Sequence, residues 1–362
     1  MTQQKQKMKH YIKAIFLSLI TLVLLNCNST KTVSNNDFLQ KIDSLIQTEN
    51  PRKFNGVVLI SENGKTLYQK AYGFSDFNKN IKLKLTDHFS SMSIAKQITA
   101  TLIMLEVEKG TIDLNAPIKK YLKNLNYDWA EKVTVHQVLN NSSGIDSWEL
   151  KEKLLFEPGT QFKYSNIGYA TLGEILENTT GKSYENLVTE LFAKQGMKNS
   201  FYPNINNEKF RVNSFFISKE NEQKNNLVEK FPFTPNLFPG SHLLVTAEDL
   251  AIWNNNLHNG KILKNESYQK MINYSITNIH NLFSENEIGY GYGLRINDKA
   301  ENFEIGHTGF SPPAGFTAVN LYYPKEKLSI IVLENQATDN FDIAYYFESE
   351  IRKMMLKSDL FK

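Results

Sequence analysis

The 362-residue chain predicts an α+β fold: one antiparallel sheet built from both chain ends and flanked by helices, with a mainly helical lobe inserted at about residues 85–285. Three observations carry this expectation. Near the start, GVVLISENGKTLYQKAYGF holds two β runs around Asn63-Gly64, a dipeptide favoured in two-residue hairpin turns. Near the end, GFTAVNLYYPKEKLSIIVLENQ forms a second hairpin around Pro324, followed by a helical tail, FDIAYYFESEIRKMML. The segments between the two hairpins are mostly helical, so a cleft between sheet and inserted lobe is the natural place for a site.

The elements follow in order. A basic start leads into the apolar run Ala14 to Leu25, which has the length of an export-signal core and is too short to span a bilayer. Residues 1–26 are therefore expected to be a signal peptide, 27–37 a polar tether and 38–362 the folded domain. Cys27, the only cysteine, follows directly in LLNC, which resembles the bacterial lipoprotein cleavage site, with Asn26 where a small residue is usual. The signal would make the protein exported, and lipidation at Cys27 would anchor it to the outer membrane; an ordinary cleaved signal with an incidental cysteine, leaving it in the periplasm, is the alternative. Removal of 1–26 takes away Lys5, Lys7, Lys9 and Lys13 and no acid, turning the formal charge from +3 to −1. A near-neutral mature chain does not suit a nucleic-acid partner, and one whose only cysteine is the terminal Cys27 has no internal disulfide and no cysteine in the folded domain to serve as a thiol nucleophile.

Within the domain, DFLQKIDSLIQTE has helical spacing, ATLGEILENTTG stops at Gly181, and in TAEDLAIWNNNLHNG a capping box of Thr246 and Asp249 opens a helix that Gly260 ends. No His-Glu-x-x-His or ligand-like histidine spacing occurs, so no metal and no cofactor are expected.

Three short motifs carry chemistry. In FSSMSIAKQITATLIMLE, Ser93 and Lys96 stand at i and i+3, where Cβ atoms on a helix lie about 5–6 Å apart. Ile94, Ile98, Leu102 and Leu105 would form one buried face beneath them. A second Ser-x-x-Lys, Ser267 to Lys270, has polar neighbours and reads as a surface match. Tyr164 and Asn166 lie where a turn-rich approach, FEPGTQFKYSN, meets an apolar helix; the other Tyr-x-Asn pairs, Tyr184/Asn186 and Tyr202/Asn204, read as ordinary surface residues. Third, GHTGF places glycines around His307 and Thr308 directly before the last hairpin, permitting close backbone approach. GYGYG at Gly289 to Gly293 reads as a structural loop near the cleft.

In this order and context the chain resembles the serine β-lactamase and penicillin-binding protein superfamily, in its class C β-lactamase and D-alanyl-D-alanine carboxypeptidase branch. The resemblance implies the β-lactamase/transpeptidase-like fold and an acyl-enzyme on Ser93, with Lys96 and Tyr164 sharing protons with it. A free lysine is neutral in only roughly one molecule in two thousand at pH 7, so Lys96 needs a lowered pKa to act as a base. The resemblance also implies an oxyanion hole at the backbone N–H groups of Ser93 and Phe310, with Asn166, His307, Thr308 and Gly309 on the substrate. Its partner would be a small molecule or peptide: an ester, a peptide or a D-amino-acid amide. Typical class C β-lactamases carry lysine where this chain has His307, which implies weak β-lactam turnover. The alternatives are a penicillin-binding or sensor protein that acylates without turnover, and a true class C β-lactamase.

Overall fold

A computed structural model describes residues 35–361 apart from 221–224, 229–233 and 279–286. The expected signal peptide, Cys27 and most of the tether lie outside these residues. The first described helix, α1, spans Asn35–Leu45 and so takes up the last residues assigned to the tether.

In chain order the strands that matter here are β1 (Gly56–Glu62), β2 (Lys65–Tyr72), β3 (Phe89–Ser90), β4 (Leu244–Val245), β5 (Thr277–Asn278), β6 (Ile288–Tyr290), β7 (Arg295–Asn297), β8 (Glu304–Ser311), β9 (Phe316–Tyr323) and β10 (Leu328–Glu334). Eight of them form one sheet in the order β2-β1-β10-β9-β8-β7-β6-β5, with β3 and β4 paired separately. The sheet is antiparallel, and β1 lies directly against β10, with Val57 opposite Leu333. Both chain ends thus build its centre, as expected. Asn63 and Gly64 have φ of 50° and 77°, the two positive values that a type I′ turn demands.

Both faces of the sheet are covered, which explains why GVVLISE and LSIIVLE read as unbroken apolar runs rather than alternating ones. Val57 and Leu59 point into a core shared with the helical lobe. Val58 and Ile60 point into a second core, under α1 and the C-terminal helix.

The inserted lobe contributes α2 (Ala95–Glu108), α3 (Asn166–Thr180), α4 (Phe238–Ser241) and α5 (Ala247–His258), and the chain ends on α6 (Tyr346–Leu356). As expected, α2 is buried along most of its length: every residue from Ala95 to Met104 is buried, because this helix runs through the middle of the lobe. Ser165 caps α3 by accepting the Gly168 N–H, and Gly181 ends it at φ 69°. Thr246 caps α5 through the Asp249 N–H, but the Asp249 carboxylate turns away to the Asn199 N–H and the Ser200 hydroxyl, so only half of the capping box forms.

Three further expectations change. Gly289 and Tyr290 lie in strand β6, not in a loop. Tyr184 is buried, with its hydroxyl 2.7 Å from Thr99 Oγ1, and Tyr202 packs on Phe238, so neither is a surface tyrosine. Ser267 is also buried, although Lys270 is exposed and bonds Glu266, which leaves that serine without its lysine.

Candidate active site

Ser93 lies in a single 3-10 turn, Met92–Ile94, that runs directly into α2. From Phe89 to Met104 it is the one residue that is not buried. The turn is held from behind: the Ser91 N–H donates to Leu243 O at 2.8 Å, and Ser91 Oγ accepts the Leu243 N–H at 3.0 Å. Met92 sits at φ 46°, a left-handed conformation that is costly for a residue with a Cβ.

Lys96 has no exposed surface. Its Nζ lies 3.2 Å from Ser93 Oγ and 2.7 Å from Asn166 Oδ1, and it also bonds the Gly240 carbonyl. The Tyr164 and Tyr169 rings lie 4.6 and 5.3 Å from it. None of these partners is a carboxylate. Burial, and then the nearby Arg295 guanidinium, hold the amine well below the ordinary lysine range. A neutral amine has two N–H donors and one lone pair. Asn166 Oδ1 and Gly240 O can only accept and take both donors, so the lone pair is left for the Ser93 hydroxyl.

Tyr164 hydrogen-bonds Ser93 from the other side. Burial pushes its phenol up to about 12, although the Ser93 bond and Arg295 pull the opposite way. The segment that presents it is pinned to the preceding loop: Ser147 donates to the Tyr164 carbonyl at 2.6 Å, and the Asn166 N–H donates to Ser147 O at 3.0 Å. Because Asn166 Oδ1 is occupied by Lys96, only the amide NH2 remains for a ligand.

The opposite wall is β8. It pairs with β9 along Ile305 to Ser311 but with β7 only from Glu304 to Gly306, so from His307 onward one edge has no strand beside it. A Cβ on Gly309 would stand 2.5 Å from Met92 Cβ, 2.7 Å from Ser91 O and 3.1 Å from Ser93 N. Glycine at 309 is what lets the strand lie directly against the nucleophile turn. The backbone of the next residue, Phe310, is thereby brought beside that of Ser93.

The pleat separates His307 from Thr308. His307 lies opposite Asn320 on the face of the helical lobe and is fully buried, with Nε2 3.0 Å from the Tyr290 hydroxyl and Nδ1 2.6 Å from Thr308 O. Thr308 lies opposite Val319 on the other face, where Tyr345 hydrogen-bonds its side chain.

Sequence reasoning missed Arg295. It stands on β7 opposite Gly306, on the same face as Thr308, and with His307 and Thr308 it lines a small pocket. The chain has four arginines. Arg52, Arg211 and Arg352 bond Glu334, Glu208 and Glu304; among the described residues Arg295 pairs with no carboxylate, and its buried Nε has no hydrogen-bond partner. The scarcity of arginine was visible in the sequence, but its partners were not.

A sheet with an inserted helical lobe, and Ser93, Lys96 and Tyr164 gathered in the cleft between them, define the β-lactamase/transpeptidase fold. The family model described as Beta-lactamase matches residues 42–351, and the chain belongs to that family. It is 27% identical to Protein flp of Staphylococcus aureus (strain MW2) over 327 residues, which is 83% of this chain and 64% of that one. It therefore spans less than two thirds of that relative's length. It is 23% identical to Penicillin-binding protein 4* of Bacillus subtilis (strain 168), covering 79% of this chain and 69% of the relative. Among solved structures it is similar to the octameric penicillin-binding protein homologue from Pyrococcus abyssi, with TM-score 0.76 and 25% identity over 89% of this chain and 78% of that one. The D-amino acid amidase from Ochrobactrum anthropi SV3 shares the fold with TM-score 0.73 and 20% identity, covering 89% of this chain and 96% of that one.

Proposed function

We propose that the protein is a serine hydrolase that forms an acyl-enzyme on Ser93 with an ester, a peptide or a D-amino-acid amide, acting in the manner of a carboxypeptidase or esterase rather than as an efficient β-lactamase. The observation that carries this reading is the fully buried Lys96 Nζ 3.2 Å from Ser93 Oγ, held there by Asn166 Oδ1 and the Gly240 carbonyl. A serine hydroxyl needs such a base to attack a carbonyl at neutral pH. Lys96 takes the Ser93 proton as the bond to the carbonyl carbon forms, and the N–H groups of Ser93 and Phe310 receive the developing oxyanion. Tyr164, held protonated, donates to the leaving group, and water then releases the acyl group from Ser93 by the reverse path.

Arg295 narrows the substrate. A guanidinium without a carboxylate partner, next to the free edge of β8, suits a carboxylate on the leaving side of the substrate, held bidentately. On the same proposed reading the apolar run before Cys27 serves as an export signal, and the enzyme works in the periplasm or as an outer-membrane-anchored lipoprotein.

A hydrolysis screen of p-nitrophenyl esters, D-amino-acid anilides and a D-Ala-D-Ala peptide, with Ser93→Ala as control, tests this. Turnover of at least one class that vanishes in Ser93→Ala is expected, with slow hydrolysis of a chromogenic cephalosporin. A permanent adduct with every substrate would support a covalent receptor instead, and fast cephalosporin turnover a true β-lactamase.

A further inference from the structure

A second serine lies three residues before the nucleophile, in a buried chain that the proposed chemistry does not use. Ser90 Oγ is 2.6 Å from His242 Nδ1, and the His242 Nε2 is 3.5 Å from Glu208 Oε2. Glu208 is held in turn by Arg211, whose Nε donates to Oε1 at 2.5 Å. The chain has the residue types of a nucleophilic triad, but Ser90 and His242 are 1% and 0% exposed, so no substrate reaches them. A role in the structure around Ser93 is what remains.

The donors and acceptors set one direction along this chain. Glu208 Oε2 stands 3.5 Å from Nε2, and its negative charge favours the hydrogen on that nitrogen, leaving a lone pair on Nδ1. Ser90 donates to that lone pair, and its own oxygen then accepts the Met92 N–H at 3.4 Å, with Met92 Sδ at 3.1 Å. The chain therefore ends on the residue with φ 46° immediately before Ser93. His242 also directly follows α4, whose Gly240 carbonyl holds Lys96. One side chain thus braces the turn of the nucleophile and the segment that orients its base.

We infer that His242, oriented by Glu208, is a positioning residue that holds the Ser90–Met92 turn in its left-handed conformation and so aims Ser93 at Lys96. The inference rests on the reading of Ser93 as the acylated residue. A displacement of about 1 Å at a reacting group costs on the order of a hundredfold in rate, and the bracing acts on that placement without touching substrate.

The test uses the full chain and two readouts: kcat and KM with a p-nitrophenyl ester, and the rate of Ser93 labelling by a fluorescent phosphonate. His242→Leu and Ser90→Ala are expected to lower kcat and the labelling rate by about ten- to a hundredfold while KM stays within about threefold. His242→Asn, which puts an acceptor oxygen where Nδ1 stands, is expected to retain most of the activity. Adding Met92→Gly to either damaged variant is expected to restore about tenfold, because glycine adopts positive φ without the penalty that the chain offsets. Ser90→Ala carries the test if His242→Leu does not fold. Labelling of Ser90→Ala at the wild-type rate, or a loss that neither His242→Asn avoids nor Met92→Gly repairs, overturns the inference alone. A wild-type protein that labels no faster than Ser93→Ala overturns the acyl-enzyme reading, and this inference with it.

Discussion

The Tyr290 hydroxyl lies 3.0 Å from His307 Nε2, a hydrogen bond that holds the buried ring against strand β6. His307 Nδ1 faces the Thr308 carbonyl, which can only accept, so Nδ1 carries the hydrogen. The strand thus carries a buried imidazole at the position where a lysine would stand. Tyr290→Phe removes this buried hydrogen bond, which costs about 1–3 kcal/mol. Urea unfolding should show a loss of that size, while KM for an uncharged ester stays unchanged.

Arg295→Gln should act on binding and on pH dependence together. Loss of the guanidinium should raise KM at least about tenfold for substrates with a carboxylate on the leaving side, and far less for uncharged esters, the cost of a lost charge-assisted bond. The sign of the pH effect follows from Lys96, which burial and Arg295 both hold below its ordinary value. Without Arg295 the amine becomes neutral only at higher pH. The rising limb of the kcat/KM profile should therefore move upward in pH; a limb that moves downward or stays in place would count against Lys96 as the base.

Gly309→Ala tests the contact between β8 and the nucleophile turn. The added methyl meets backbone and Cβ atoms that cannot yield without moving Met92 or the strand. The N–H groups of Ser93 and Phe310 would move apart, and kcat should fall by about 10²–10³, the effect of losing one oxyanion donor. Circular dichroism and the melting temperature should show that the fold survives.

Legibility from sequence differed between these features. Periodicity and turn chemistry placed the two hairpins, because Asn63-Gly64 and the run after Pro324 act locally. The Ser93/Lys96 pair was legible from its helical spacing. Arg295 was not, since its meaning comes from what it lacks in space. Nor was the buried state of His307, which depends on the side of the pleat it takes and on Tyr290 closing over it. Tyr184 was misread as a surface residue because its burial comes from α2, far away in sequence.

The far side of the sheet predicts a stability experiment. Arg52 bonds both Glu334 oxygens at 2.7 Å and lies 3.7 Å from Glu348, all three buried. Burial, followed by the Glu334 charge, raises the Glu348 carboxyl well above the usual range. A carboxyl raised in the folded state contributes stability that is complete below its unfolded value of about 4.3 and is lost as pH rises through the folded one. Glu348→Gln should thus be more stable than wild type at pH 8–9, with the difference shrinking toward pH 4. Arg52→Met, which leaves buried carboxylates uncompensated, should cost about 3–5 kcal/mol at neutral pH. Melting curves across pH check both signs.

The direct pairing of β1 with β10 also bears on the order of synthesis. A chain growing from its first residue carries Ser93, Lys96 and Tyr164 long before Leu333 exists to complete the sheet on which Val57 sits. Gly309 and Phe310 also come late, and they gain a wall to stand in only when β9 and β10 follow. Pairings this distant along the chain form last and slowly. The wall of the cleft that faces Ser93 is therefore complete only after nearly the whole chain has been made, so the topology itself delays assembly of the proposed site.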